Sequence, residues 1–124
     1  MATELGATLL DHTGPTRGAT FLVSGLALNG AGAAHASALS AALELAGYLA
    51  LLPELTESEY AVTHSIALNL ITGAPQGHCV EVSGEVDRRS KKLAFITVAA
   101  RADGQIVARG RLVKSIVAFA APAL

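Results

Sequence analysis

The stretch Ala34–Pro53, AHASALSAALELAGYLALLP, is almost all alanine and leucine, yet it holds one carboxylate, Glu44. Between Arg17 and Glu54 no other residue carries a formal charge. A carboxylate in apolar surroundings is costly unless it is paired or changes protonation state. Glu44 therefore either lies on a wet edge of a helix or has chemistry to perform. That chemistry would be attack on an electrophilic carbon, or proton removal from a water that attacks instead. Other constellations are missing. His12, His64 and His78 show no ligand spacing, and with a single cysteine, Cys79, there is no metal-site pattern. Asp11-His12 with scattered serines forms no nucleophile elbow.

The elements that must position Glu44 follow from hydrophobic period and turn residues. Leu5, Leu9 and Leu10 have roughly helical spacing, so residues 1–14 predict a short amphipathic helix ending at Thr13-Gly14-Pro15. FLVSGLAL (21–28) reads as a strand, and the Gly-rich NGAGAA (29–34) leads into the long helix. That helix begins near His35 to Ser37, and Pro53 closes it. Four strands follow, at 60–71, 78–89, 91–101 and 105–118, separated by turn signals and expected as an antiparallel meander. On the first of these, strict alternation puts Tyr60, Val62, His64, Ile66, Leu68 and Leu70 on one face. A helix with no polar stripe must be covered on all sides. An α+β architecture does this, with a curled antiparallel sheet wrapped around a long central apolar helix and a second copy covering the remainder.

At 124 residues the chain is expected to be one domain, 1–124, with a core over 15–124. It is 52% hydrophobic and only 15% charged, which predicts surface hidden in an oligomer. A net charge of −1 argues against nucleic acid as a partner. The lone Cys79 points to a reducing compartment, the cytoplasm. The opening MATELGATLLDHTG has an early Glu and no basic stretch, unlike a secretory signal. The apolar run 38–52 is short for a bilayer and carries Glu44 near its middle, so no membrane association is expected.

The residues around the long helix resemble the hotdog-fold acyl-CoA thioesterases of the phenylacetyl-CoA and hydroxybenzoyl-CoA type. That family's pattern is Asn, five residues, His-Gly-Gly, then a carboxylate nine residues after the His. Here Asn29 precedes His35 by six, Glu44 follows it by nine, and Val62-Thr63 opens the next strand in the family manner. SKKLAFITVAARADGQIVARGR (90–111) looks like the family's hairpin and closing strands, and the resemblance spans roughly 21–117. Where the family has Gly-Gly, this chain has Ala36-Ser37.

The resemblance implies hydrolysis of an acyl-CoA, or an acyl-carrier thioester, with coenzyme A only as part of the substrate and no other cofactor or metal. Glu44 would be base or nucleophile. The Ala36 N–H, at the positive end of the helix, would stabilise the oxyanion. His35 would position, Asn29 would bind carbonyl or water, and Thr63 would orient the carboxylate. Arg89, Lys91 and Lys92 in RRSKK (88–92) would grip the phosphates of coenzyme A, with Arg109, Arg111 and Lys114 as rivals. A charge run of this kind is also what a solvated hairpin tip looks like. Nine residues separate His35 from Glu44, about 13 Å along a helix and on opposite sides of it, so one site would draw on two chains. A homodimer at least is expected, with a tetramer as the larger possibility. The rival readings are an acyl-CoA-binding module without catalysis and, last, a hydratase or dehydratase.

Overall fold

The computed structural model describes residues 8–9, 18–22, 36–73 and 77–119. Its centre is helix α1, Ala36–Leu51. Alanine and leucine favour helix, and the run is free of β-branched residues. The helix stops where Leu52–Glu54 tighten into a 3₁₀ turn containing Pro53, and the Leu55 N–H then donates to the Leu52 carbonyl. The expected limits of this helix match its observed ones.

Six antiparallel strands form one sheet: β1 (Thr8–Leu9), β2 (Ala19–Leu22), β3 (Glu59–Leu70), β4 (Cys79–Arg89), β5 (Leu93–Ala102) and β6 (Gln105–Ala118). Their spatial order is β1-β2-β4-β5-β6-β3. The Asp103-Gly104 turn joins β5 to β6, with both residues at positive φ (52° and 76°), as a tight hairpin demands.

Three expectations need correction. Thr8 and Leu9, inside the segment read as a short helix, are extended and pair with Thr20 and Ala19. Short helices are marginal in water, whereas pairing on a sheet satisfies backbone groups at once. The rest of 1–14 lies outside the described residues, as do 23–28 of the strand expected at 21–28. The four later strands are not a simple meander. β4, β5 and β6 are consecutive neighbours, but β3 pairs with β6. β2 occupies the other edge of β4, which leaves β6 as the partner for β3.

The third correction concerns the faces of β3. Its pairing with β6 shifts at a bulge between Thr63 and Ser65, with His64 as the extra residue. Directly paired residues share a face, so Ala61 and Thr63 lie with Ile116 and Lys114, and Ile66 and Leu68 lie with Leu112 and Gly110. Tyr60 and Val62 therefore face opposite to Ile66 and Leu68, which strict alternation had placed beside them. One added residue flips the phase of a strand.

The core lies between α1 and the inner faces of β4, β5 and β6. Leu43 and Leu51 meet Val80, Val82, Ile96, Val98 and Leu112, all essentially fully buried. The helix sits low on the sheet because two glycines allow it. A Cβ on Gly47 would lie 2.3 Å from Leu112 Cδ1, and one on Gly84 of β4 would lie 2.9 Å from the Ala46 carbonyl oxygen.

Candidate active site

α1 buries Ala38, Leu39, Ala42, Leu43, Ala46, Leu49, Ala50 and Leu51. The face left partly or fully open is Ser37, Ser40, Ala41, Glu44, Leu45 and Tyr48, one stripe at helical spacing. Glu44 stands in the middle of that stripe, half-buried, at the margin between core and opening.

Beneath it the sheet presents a cation. On β6 the inward positions Leu112 and Ile116 are apolar and buried, and between them stands Lys114, only 5% exposed. No other polar or charged residue is buried among the described residues. Lys114 Nζ donates to Thr63 Oγ1 at 3.2 Å, across the β3–β6 pair in which the two residues are direct partners. Burial pushes the Lys114 pKa below its ordinary value, and the negative charge of Glu44 works in the opposite direction. The ion pairs closed to 4.0 Å or less among the described residues are His78–Asp103 and Arg89–Glu59. Glu44 and Lys114 thus lie near enough for their charges to interact without closing an ion pair.

The other residues expected in the site fall into three groups. Thr63 is brought to the helix side of the sheet by the His64 bulge, and it meets Lys114 there. Ala36 opens α1, where a helix's first amides have no partner within the helix. Asn29 and His35 lie outside the described residues. Of the expected phosphate-binding residues, Arg89 is engaged inside the chain. Its guanidinium donates to the Glu54 carbonyl at 2.7 Å and to Glu59 Oε2 at 2.7 Å, fastening the end of the helix segment to the start of β3. Lys91 and Lys92 are exposed at the β4–β5 turn. Arg109 and Arg111 line a cavity of about 370 Å³ with Asn69 and Thr97, on the sheet face opposite to α1 and so remote from Glu44.

Lys114 is the residue whose buried placement sequence reasoning missed. The signal was present, because Lys114 shares strand parity with Leu112 and Ile116, both apolar. A lysine at an inward position is a buried charge with a reason to be there.

An apolar helix laid on an antiparallel sheet is the arrangement the resemblance implied. Residues 28–120 match the profile of the fluoroacetyl-CoA-specific thioesterase family, FlK. The chain belongs to this family. It is thereby an acyl-CoA thioesterase by class, as the sequence reading expected. Solved structures agree on the fold. A thioesterase from Haemophilus influenzae superposes with a TM-score of 0.86 at 20% identity, covering 94% of this chain and 82% of its own. A mutant of the phenylacetic acid degradation protein PaaI from Thermus thermophilus gives 0.81 at 22%, covering 92% and 96%. A Bacillus halodurans protein with CoA gives 0.82 at 14%, covering 94% and 74%. These likenesses place the thioesterase in the hotdog fold. No curated protein sequence matches the chain significantly. No helix among the described residues is long and apolar enough to cross a membrane, and none of their His, Cys, Asp and Glu side chains cluster as a metal site would require.

Proposed function

We propose that this thioesterase hydrolyses an acyl-CoA thioester at sites shared between two chains, with Glu44 delivering the attack and the Ala36 N–H of the neighbouring chain receiving the oxyanion. The observation that carries the reading is the half-buried Glu44 on the open stripe of α1, within charge-interaction reach of the buried Lys114. The family's description and the CoA held by the Bacillus halodurans neighbour support a CoA thioester as substrate.

Glu44 attacks the carbonyl carbon directly, or removes a proton from a water that does so. The carbonyl oxygen takes up negative charge, which a helix-start amide stabilises. The intermediate collapses with cleavage of the C–S bond, releasing the thiolate of coenzyme A. If Glu44 bonds to the acyl carbon, water then hydrolyses the anhydride and restores the carboxylate. After a single turnover in ¹⁸O-water, label found in Glu44 marks the anhydride route, because only an anhydride lets water attack the Glu44 carboxyl carbon.

Ala36 and Glu44 are eight residues apart on one helix, about 12 Å along its axis. A single thioester cannot touch both in one chain. Two features support a second copy of this chain as the missing half. Among the described residues, β3 ends the sheet with twelve residues and no strand on its outer side. Around that edge and the helix stripe stand Tyr48, Ile66, Leu70 and Ile71, 40–53% exposed. A two-fold dimer covers these residues and sets the start of one helix beside the middle of the other.

Glu44→Ala should abolish most release of free thiol while leaving the oligomer folded. Unchanged kcat over a panel of acyl-CoAs refutes the catalytic assignment, and tight acyl-CoA binding without thiol release in the unaltered protein favours the non-catalytic module. The shared site has its own test. Proline is tolerated at the first helical position, so Ala36→Pro deletes one N–H and leaves the helix standing. Each variant alone should lose about 10²–10³-fold in kcat or more. Mixed by unfolding and refolding in equal amounts, the two should recover about a quarter of full activity, because half the dimers then hold one intact site. No recovery on mixing shows that each site belongs to a single chain.

A further inference from the structure

We propose that Lys114 is a positioning residue of the thioesterase site: its buried ammonium fixes the Thr63 hydroxyl on the helix side of the sheet, the side from which Glu44 works. The inference rests on the reading of Glu44 given above and deepens it.

Nothing in the packing calls for a lysine there. Leu112 and Ile116 flank Lys114 along β6, and Ala94 lies opposite on β5, all three buried. Leucine or methionine would fill the place without carrying a charge out of water. Yet the one deeply buried cation among the described residues stands where its charge interacts with Glu44. Thr63 supplies a single acceptor, and an ammonium has three donors, so two N–H remain for a water or carboxylate on the Glu44 side. Because Thr63 Oγ1 accepts from Lys114, its own hydrogen turns away from the ammonium, toward the open side of the sheet. The His64 bulge sets this pair in place, since it fixes Thr63 opposite Lys114.

Few other charges reach Glu44 from the packed elements. On α1 the nearest titratable neighbour of the same stripe is Tyr48, one turn on. The inward residues of β4 and β5 that pack on the helix are Val80, Val82, Ile96 and Val98, all apolar. Arg89, inward at the end of β4, is held by Glu59. β3 offers Thr63, which is neutral, with His64 bonded to Ser115 Oγ at 3.1 Å. Lys114 is thus the cation that acts on this carboxylate among the described residues.

The test compares Lys114→Met, Lys114→Arg and Thr63→Val in thiol-release kinetics. Lys114→Met should lower kcat by about 10–100-fold, as a small misplacement of a catalytic group does, and change KM far less. Lys114→Arg should restore most of kcat, because a guanidinium can still donate to the Thr63 hydroxyl, and Thr63→Val should lower kcat as Lys114→Met does. A purely structural lysine would leave kcat unchanged in every variant that folds. If Glu44→Ala is inactive but Lys114→Met keeps full kcat, the inference is overturned and the Glu44 assignment survives. If Glu44→Ala is fully active, both fall together. Should Lys114→Met fail to fold, Thr63→Val decides: full kcat there overturns the proposal.

Discussion

Gly84→Ala tests whether the height of α1 above the sheet matters for catalysis. The added Cβ would lie 2.9 Å from the Ala46 carbonyl oxygen, 3.2 Å from its carbon and 3.3 Å from the Ala50 Cβ. Ordinary contact begins at 3.4 Å, so the helix must rise by about half an ångström. Two of the three atoms are backbone, and no rotamer change relieves them. Overpacking of this kind costs about 1–3 kcal/mol, offset by about 0.4–1 kcal/mol from the less flexible unfolded chain. The net expectation is a loss of about 1–2 kcal/mol, a Tm lower by roughly 4–8 °C for a domain of this size. Glu44 is two residues from Ala46 and must move with it. A displacement of one ångström can cost about a hundredfold in rate, so half of that should lower kcat on the order of tenfold. Urea titration gives the stability, and free-thiol release gives the rate. Gly104→Ala is the control: it strains a φ of 76° but meets nothing within 4 Å, so it should cost stability and spare kcat. A Gly84→Ala protein with the expected stability loss and normal turnover would show that the seating of the helix does not set the site. Normal stability would show that the helix does not rest on Gly84 at all.

Two pH dependences follow from the charged groups. The Thr56 N–H and then the Arg89 guanidinium hold the Glu59 carboxyl below its ordinary pKa of 4.5. Its contribution is therefore present above pH 4.5 and lost as pH falls through the lower folded value. Glu59→Gln should be less stable than the unaltered protein near neutrality and converge with it under acid, as read by thermal melts over pH. For Lys114 the sign reverses. Burial holds its pKa below 10.5, so the cost of the buried charge is full at neutral pH and relieved as pH rises through the folded value. Lys114→Met should match or exceed the unaltered protein at pH 7, and that advantage should shrink in alkali. A constant difference between the two across that range would show that the ammonium is well solvated.

The helix and the four long strands were legible because their signals are local. An Ala/Leu run ended by Pro53 can be little else, and β4 alternates apolar with polar almost without error. The partner of β3 was not legible. Which strand takes which edge depends on β2 filling the side of β4 that β3 would otherwise have used, and that competition is settled over the whole sheet. The faces of β3 were misread for a smaller reason. A bulge leaves no mark in composition, and a sequence alternating through it looks continuous. In the site, Glu44 stood out because its charge is isolated in sequence. Lys114 did not, because it lies among Arg109, Arg111 and other polar residues that hide its inward parity. Arg89 looked like part of a basic patch, whereas its bonds to Glu54 and Glu59 join segments more than 29 residues apart in the chain.

His64 is, in terms of pairing, a surplus residue. Thr63 meets Lys114 and Ser65 meets Val113, neighbours on β6, so excising His64 would close β3 into an unbroken ladder with every other partnership intact. Loss of a residue farther from the bulge would slide the stretch between it and the bulge and turn those side chains inside out. Length in this family member can thus drift at one link of β3 without scrambling the sheet. What such a deletion would surrender is the local twist and the bond to Ser115, so that link is where the strand's shape can be retuned while its neighbours keep their stations.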